Sequence, residues 1–299
     1  MTKNKSILAI FAALTAQIIF GFSFMFTKIA LQTASPLVVI ANRYMVAFIL
    51  LGIWLLVKKI KMNLRKNIFP LILMSVFQPC LYFIFESYGI KLTTSSFSSV
   101  MIALIPVVSM LCGIFTLKEV PTPLQFVFMA LSVIGVVTIT LQGKSDGTVT
   151  AFGVLLLAGA VIASVGYNIL SRKLSSEFSV FERTFVMTAS GLVFFTIAAL
   201  CENVNYPVVI IAAFSKSSYV YSILYLSVLS SVVAFLLLNF SHTYLPVAKT
   251  TAFSNITTVV SVIAGVVFLN EPFGVVSWIA TLMIVAGVCG VQLIDVKNK

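Results

Sequence analysis

Apolar runs of roughly 20 residues follow one another along this chain, separated by short polar stretches that hold most of its charge. An α-helix needs about 20 apolar residues to cross a hydrocarbon core of about 30 Å. The runs predict helices at 7–31, 36–57, 68–90, 94–117, 122–142, 150–171, 179–200, 218–241, 247–269 and 273–293. Ser35-Pro36, Pro121-Thr122-Pro123, Lys144-Ser145-Asp146-Gly147, Asn203 to Pro207 and Glu271-Pro272 supply the breaks, as turn or helix-start signals.

Superimposed on this rhythm is an internal repeat. Thr94 to Gln142 returns without a gap as Pro246 to Ile294, displaced by 152 residues. The copies share Ser109/Ser261, Gly113/Gly265, Leu117/Leu269, Glu119/Glu271, Gly135/Gly287 and Leu141/Leu293. Five predicted helices per half is an odd number, so the second half enters the bilayer upside down relative to the first. The expected fold is an all-α membrane protein of ten transmembrane helices, built as two inverted five-helix repeats, 1–143 and 144–299, around a central cavity. Inverted repeats of this kind mark secondary transporters, which hold substrate near the midplane and alternate by rocking.

Composition agrees. Of the 299 residues 60% are hydrophobic and 9% charged, with mean hydropathy +1.13, whereas a soluble domain carries about 25% charged residues. A net charge of +11 raises the question of nucleic acid, but the cations sit in loops beside apolar helices, where they set orientation instead. Lys3, Lys5, Lys58, Lys59, Lys61, Arg65, Lys66, Lys118, Arg172, Lys173, Lys297 and Lys299 fall on one side, against Lys91, Lys144 and Lys216 on the other. Both termini are therefore expected in the cytoplasm, with Glu119 cytoplasmic and Glu271 external. The opening run is too long for a signal-peptide core and is expected to stay as the first helix. Cys80, Cys112, Cys201 and Cys289 are scattered and His242 is the single histidine, so no metal, cofactor or disulfide framework is expected. No phosphate-binding G-x-x-x-x-G-K motif is present to drive transport with ATP.

Polar side chains inside apolar helices are costly and normally face a cavity or the bundle interior. Four helical stripes stand out: Gln17, Gly21, Phe24 and Lys28; Ser75, Gln78, Tyr82 and Glu86; Ser164, Tyr167, Asn168 and Ser171; Ser227, Ser231, Asn239 and His242. Gln17, Gln78, Tyr82, Glu86, Tyr167, Asn168, Asn239 and Asn255 are the expected substrate contacts. Lys28, Arg43, Glu86, Glu182, Arg183 and His242 are the expected gating or coupling groups. Arg43 and Glu86 lie at similar depth, where they can close a gate as a pair or hold a zwitterion when apart; a permanent structural salt bridge is the competing reading. Glu119 and Glu271 each precede a helix, where a carboxylate favours the positive end of its dipole.

The segment from Tyr82 to Ser96, with Glu86 and Lys91, then Pro106 and Leu117-Lys118-Glu119, resembles the first EamA-type repeat of the drug/metabolite transporter superfamily. Asn239 to Ala248 and Phe268-Leu269-Asn270-Glu271-Pro272 resemble the second, with Thr258 standing where the first repeat has Pro106. The resemblance implies a central cavity and export of amino acids or other metabolites. The expected partners are a small-molecule substrate, the lipid bilayer of the cytoplasmic membrane, a proton or exchanged solute, and at helices 5 and 10 lipid or a second protomer. A channel and a membrane-embedded enzyme are the rival readings.

Overall fold

The computed structural model describes residues 3–60, 62, 68–117, 122–145, 148–245, 250 and 253–293. Its helices are α1 (Lys3–Ala30), α2 (Pro36–Val57), α3 (Phe69–Lys91), α4 in two segments (Ser95–Ile102 and Ile105–Leu117), α5 (Pro123–Ser145), α6 (Ala151–Leu174), α7 (Val180–Glu202), α8 (Ser217–Tyr244), α9 (Ser254–Leu269) and α10 (Val275–Leu293). Among the described residues seven of these, α1, α2, α3, α5, α6, α7 and α8, are long and apolar enough to cross a membrane. Shorter apolar helical stretches lie in α4, α9 and α10.

The helix starts have local causes. Ser35 leaves its backbone extended and its hydroxyl accepts from Val38 N–H, with Pro36 at the first helical position where no amide hydrogen is needed. Ser179 and Glu182 form a reciprocal capping box at the start of α7, at 3.2 and 2.8 Å. Thr94 and Thr150 cap α4 and α6 through their hydroxyls.

Two helices depart from regular geometry. In α3 Gln78 has φ −145° and ψ 115°, extended values in the middle of an apolar helix, immediately before Pro79. Pro79 has no amide hydrogen and its ring excludes the carbonyl four residues back, which is why the break falls there. The stripe Ser75–Gln78–Tyr82–Glu86 is therefore not one continuous helical face: Ser75 bonds back to Leu71 O within its own helix, and the functional face begins at Gln78. In α8 residues Tyr225–Ala234 are wound as a π-helix, a geometry that tends to appear at functional sites.

The burial pattern is the reverse of a soluble protein's. Leu56, Phe152, Val193 and Leu282 are exposed, while Arg43, Glu86, Arg183 and His242 are buried. Only a solvent that is itself apolar makes this distribution favourable. α1 packs on α8 and α9, and α6 packs on α3 and α4; α2 pairs with α7 and α5 with α10. The α5–α10 contact is made without room for side chains at three glycines, Gly135, Gly287 and Gly290. A Cβ on Gly135 would lie 2.7 Å from Ile284 Cγ1 and 2.8 Å from Ala280 O, and one on Gly287 would lie 2.3 Å from Ser132 Oγ and 2.6 Å from Phe128 O. Gly287→Val is therefore expected to force the helices apart and to lower stability by about 1–3 kcal/mol. A thermal melt in detergent, followed by size-exclusion fluorescence, checks this.

Candidate functional site

A single cavity collects most of the polar residues that the helical stripes pointed to. Gln17, Ser23, Arg43, Gln78, Tyr82, Glu86, Ser164, Asn168, Ser230, His242, Thr250, Ser254 and Thr257 line it, with Phe20, Phe24 and Phe83 among its apolar walls. They come from both halves of the sequence.

Arg43 is 3% exposed. Its Nε donates to Ser231 Oγ at 2.6 Å and its Nη2 to Ser230 Oγ at 2.8 Å, both on the π-wound part of α8. The guanidinium lies 4.2 Å from the ring centre of Phe83, a cation–π distance. Glu86, 6% exposed, accepts from the Tyr82 hydroxyl at 2.8 Å one helical turn away. Among the described residues no ion pair joins Arg43 to Glu86. Both side chains face the same cavity, each hydrogen-bonded to neutral neighbours rather than to the other. Gln17 is fixed from α9, where the Thr257 hydroxyl lies 2.7 Å from its Oε1 and 2.9 Å from its carbonyl oxygen.

At the opposite end of the cavity, beneath His242, lies a second polar group of residues. Arg183 is fully buried and donates to Ser171 O at 2.8 Å, Ser171 Oγ at 3.0 Å, Asn239 O at 2.9 Å and the Thr243 hydroxyl at 2.5 Å. Asn239 Oδ1 accepts from Ser171 Oγ at 2.7 Å and Tyr167 OH at 3.1 Å, while its Nδ2 donates to Thr184 Oγ1 at 3.0 Å. Tyr167 and Asn239, expected as substrate contacts, thus stand behind the cavity wall and bind the helices together. Glu182 accepts from Ser179 N–H in the α7 cap. Asn255 donates to Cys289 Sγ of α10 at 3.2 Å and is not among the lining residues.

Lys28 and Glu271 act on helix ends rather than on the cavity. Lys28 Nζ donates to Ile90 O at 2.7 Å and also to Thr93 O, at the carboxyl end of α3 where a cation complements the dipole. Glu271 was expected to serve the helix that follows it, α10. Instead its carboxylate turns to α4: Oε1 accepts from Ser95 N–H at 2.7 Å and Oε2 from Ser96 N–H at 2.9 Å. Two of the amides that every helix start leaves unpaired are satisfied from 176 and 175 residues away. Asn270 makes this possible by closing α9 in the left-handed region, φ 51° and ψ 37°, so that Glu271 N–H returns to Gly265 O at 3.1 Å. Gly265 leaves the space, since a Cβ there would sit 2.5 Å from Glu271 Oε2 and 2.3 Å from Ser96 Oγ. Gly113 and Glu119 repeat that spacing in the first half; the Gly113 side-chain environment and Glu119 lie outside the described residues.

Sequence periodicity located Gln17, Gln78, Tyr82, Glu86, Asn168 and His242 on the cavity. It missed Ser23, Ser230, Thr250, Ser254 and Thr257. Thr257 follows Gln17's partner helix by the ordinary i, i+3 rule from Ser254, a signal that was available; the break at Gln78 could have been read from Pro79. Among the described residues no group of three His, Cys, Asp or Glu side chains gathers to hold a metal ion.

A polar cavity enclosed by long apolar helices is the build of an integral membrane protein with an internal site. The chain belongs to the EamA-like transporter family, whose profile matches residues 7–141 and 151–293. It is 33% identical to the uncharacterized transporter YcxC of Bacillus subtilis, over 100% of this chain and 97% of that one. It is 28% identical to an S-adenosylmethionine/S-adenosylhomocysteine transporter of Chlamydia trachomatis, over 55% of this chain and 53% of the relative. A protein crystal structure shares the fold, with TM-score 0.67 and 18% identity, over 95% of this chain and 97% of that one.

The Glu271 contact makes a direct prediction. Glu271→Ala removes two charge-assisted hydrogen bonds and is expected to cost about 2–4 kcal/mol of stability. Gly265→Ala displaces the same carboxylate, so the double variant should lose markedly less than the sum of the singles. Melting temperatures of the four proteins in detergent test the coupling; simple additivity would separate the glycine from the glutamate.

Proposed function

We propose that the chain is a secondary transporter that carries a small zwitterionic metabolite, an amino acid or a related amphipathic compound, across the cytoplasmic membrane by alternating access, in the direction of export. The observation that carries this reading is the pair Arg43 and Glu86: opposite charges buried at one cavity with no ion pair between them. A ligand bearing a carboxylate and an ammonium completes both, with the carboxylate at the guanidinium and the ammonium at Glu86 beside the aromatic rings of Tyr82 and Phe83. S-adenosylmethionine and S-adenosylhomocysteine, named for the chlamydial relatives, each contain that amino-acid head.

Alternating access draws support from the packing. In this reading α4, α9 and α10 complete ten crossings, and residues 1–143 and 144–299 are the two inverted halves. Adding five to a helix number turns the α1–α8 and α1–α9 contacts into those that α6 makes with α3 and α4. It also exchanges the members of the α2–α7 and α5–α10 pairs. Ser132 Oγ approaches Ile284 O at 3.5 Å, a contact between two positions at the repeat spacing of 152. The Gly135–Ile284 and Gly287–Ser132 contacts are each other's copies under that shift. A two-fold axis in the membrane plane, passing between α5 and α10, generates these relations.

Counterflow in proteoliposomes tests the function, because only a carrier accelerates uptake of labelled substrate when unlabelled substrate is inside. Once a zwitterion shows trans-stimulation, Arg43→Gln and Glu86→Gln are each expected to weaken its binding roughly 10- to 100-fold, the range of a lost charge-assisted bond. Glu86→Gln that keeps counterflow but loses pH-driven accumulation would make Glu86 the coupling group. Orientation is tested separately in a cysteine-free background: Lys216→Cys should react with an impermeant thiol reagent in intact cells and Lys173→Cys should not. Labelling of Lys173→Cys from outside would invert the orientation.

A further inference from the structure

The geometry points to His242 as a specificity-determining residue that accepts a hydrogen bond from the far end of an elongated substrate, one whose amino-acid head sits at Arg43 and Glu86. This deepens the proposed function and rests on it for the placement of the head. The chain has one histidine, and it lines the cavity while being fully buried. Its Nδ1 lies 3.1 Å from Ser171 Oγ, and among the described residues its Nε2 has no hydrogen-bond partner.

The neighbours fix which nitrogen carries the proton. Arg183 Nη1 can only donate, and it lies 3.0 Å from Ser171 Oγ and 3.5 Å from Asn239 Oδ1. The side of the Asn239 amide facing it is therefore oxygen, in keeping with the other side, where Thr184 Oγ1 gives its hydrogen to Val180 O at 2.9 Å and so can only accept, from Asn239 Nδ2 at 3.0 Å. Ser171 Oγ stands 2.7 Å from that oxygen, a separation that needs a hydrogen between the two atoms, and the amide oxygen has none to give. The one hydroxyl hydrogen of Ser171 is thus spent on Asn239. Toward His242 the hydroxyl can only accept, so Nδ1 carries the hydrogen. In the neutral ring Nε2 is then an acceptor without a partner among the described residues, on a side chain that lines the cavity, and an N–H or O–H brought into the cavity by a ligand can satisfy it.

Distance sets the shape of that ligand. Arg43 is tied to Ser231, and His242 lies eleven residues further along the same helix, about 16 Å at 1.5 Å per residue. A free amino acid is too short to engage both ends. An amino acid extended by a second polar unit, such as the nucleoside of S-adenosylhomocysteine, has the length and carries distal N–H and O–H groups.

The test uses the full-length protein in lipid nanodiscs. Labelling with 15N-histidine gives the signals of a single ring, and the ligand-free protein at neutral pH is expected to show the neutral Nδ1–H form. A ring protonated at Nε2, alone or together with Nδ1, overturns the proposal without any ligand being needed. Binding of S-adenosylhomocysteine, L-methionine and L-leucine is then measured on the wild type, His242→Phe, His242→Gln and Arg43→Gln. S-adenosylhomocysteine should shift the Nε2 signal and bind about tenfold more weakly to His242→Phe, while L-methionine and L-leucine bind that variant as they bind the wild type. Arg43→Gln should weaken all ligands that bind. If His242→Phe fails to fold, His242→Gln, whose amide oxygen can still accept, provides the comparison and should retain most S-adenosylhomocysteine affinity. Equal affinity of S-adenosylhomocysteine for the wild type and His242→Phe, or failure to bind the wild type at all, overturns the role of His242. Loss of every ligand's dependence on Arg43 instead defeats the placement of the head and with it the proposed function.

Discussion

Hydrocarbon offers no hydrogen bonds, so every backbone group released by a break and every charge drawn inside this protein has to be satisfied by the chain itself. Most of the structure follows from how that is done. Arg43 is satisfied by two serines on the π-wound part of α8, Arg183 by carbonyls and hydroxyls of α6 and α8, and Lys28 by carbonyls at the end of α3. No carboxylate is spent on any of them in these contacts. All three donate their direct hydrogen bonds to neutral oxygens, and of the three cations Arg43 is the one that faces the cavity. Glu86 is treated in the same way, by a tyrosine hydroxyl.

The irregular parts of the fold lie where these demands concentrate. The break at Gln78–Pro79 turns a glutamine toward the cavity, and the π-helix of α8 brings Ser230 and Ser231, adjacent in sequence, onto one guanidinium. A regular helix directs neighbouring residues about 100° apart, so two consecutive serines rarely serve one planar group. Each departure thus has a partner that explains it.

Much of this could be read from sequence. Length and apolarity located most helices to within a few residues, because the bilayer imposes its own thickness on them; α2 at Pro36–Val57 agrees with the reading at both ends, whereas α9 begins at Ser254, seven residues after the expected start, and α4 is divided in two. Periodicity brought Gln17, Tyr82, Glu86 and Asn168 to the cavity, since a polar group in an apolar helix has few other places to go. What it could not give was direction of contact across the molecule. Glu271 reads locally as a cap for α10, and only the fold shows that its carboxylate belongs to α4. Tyr167 and Asn239 each share a stripe with cavity residues, but Tyr167 is taken up by Asn239, and Asn239 by Tyr167, Ser171 and Arg183, a competition between partners that a single helix does not reveal.

The bond from Glu271 to Ser95 and Ser96 also bears on how the protein is made. The amides concerned leave the ribosome 176 and 175 residues before the carboxylate that receives them. Until then the start of α4 has only Thr94 as a cap, and that leaves two N–H groups without their final acceptor at the edge of the membrane. The first half is therefore unfinished when its own last helix has been inserted, however closely it resembles the second. The stretches 7–141 and 151–293 match the same family profile, but the contact from Glu271 to α4 ties them together, and a chain released between them would carry an α4 whose start still lacked that carboxylate.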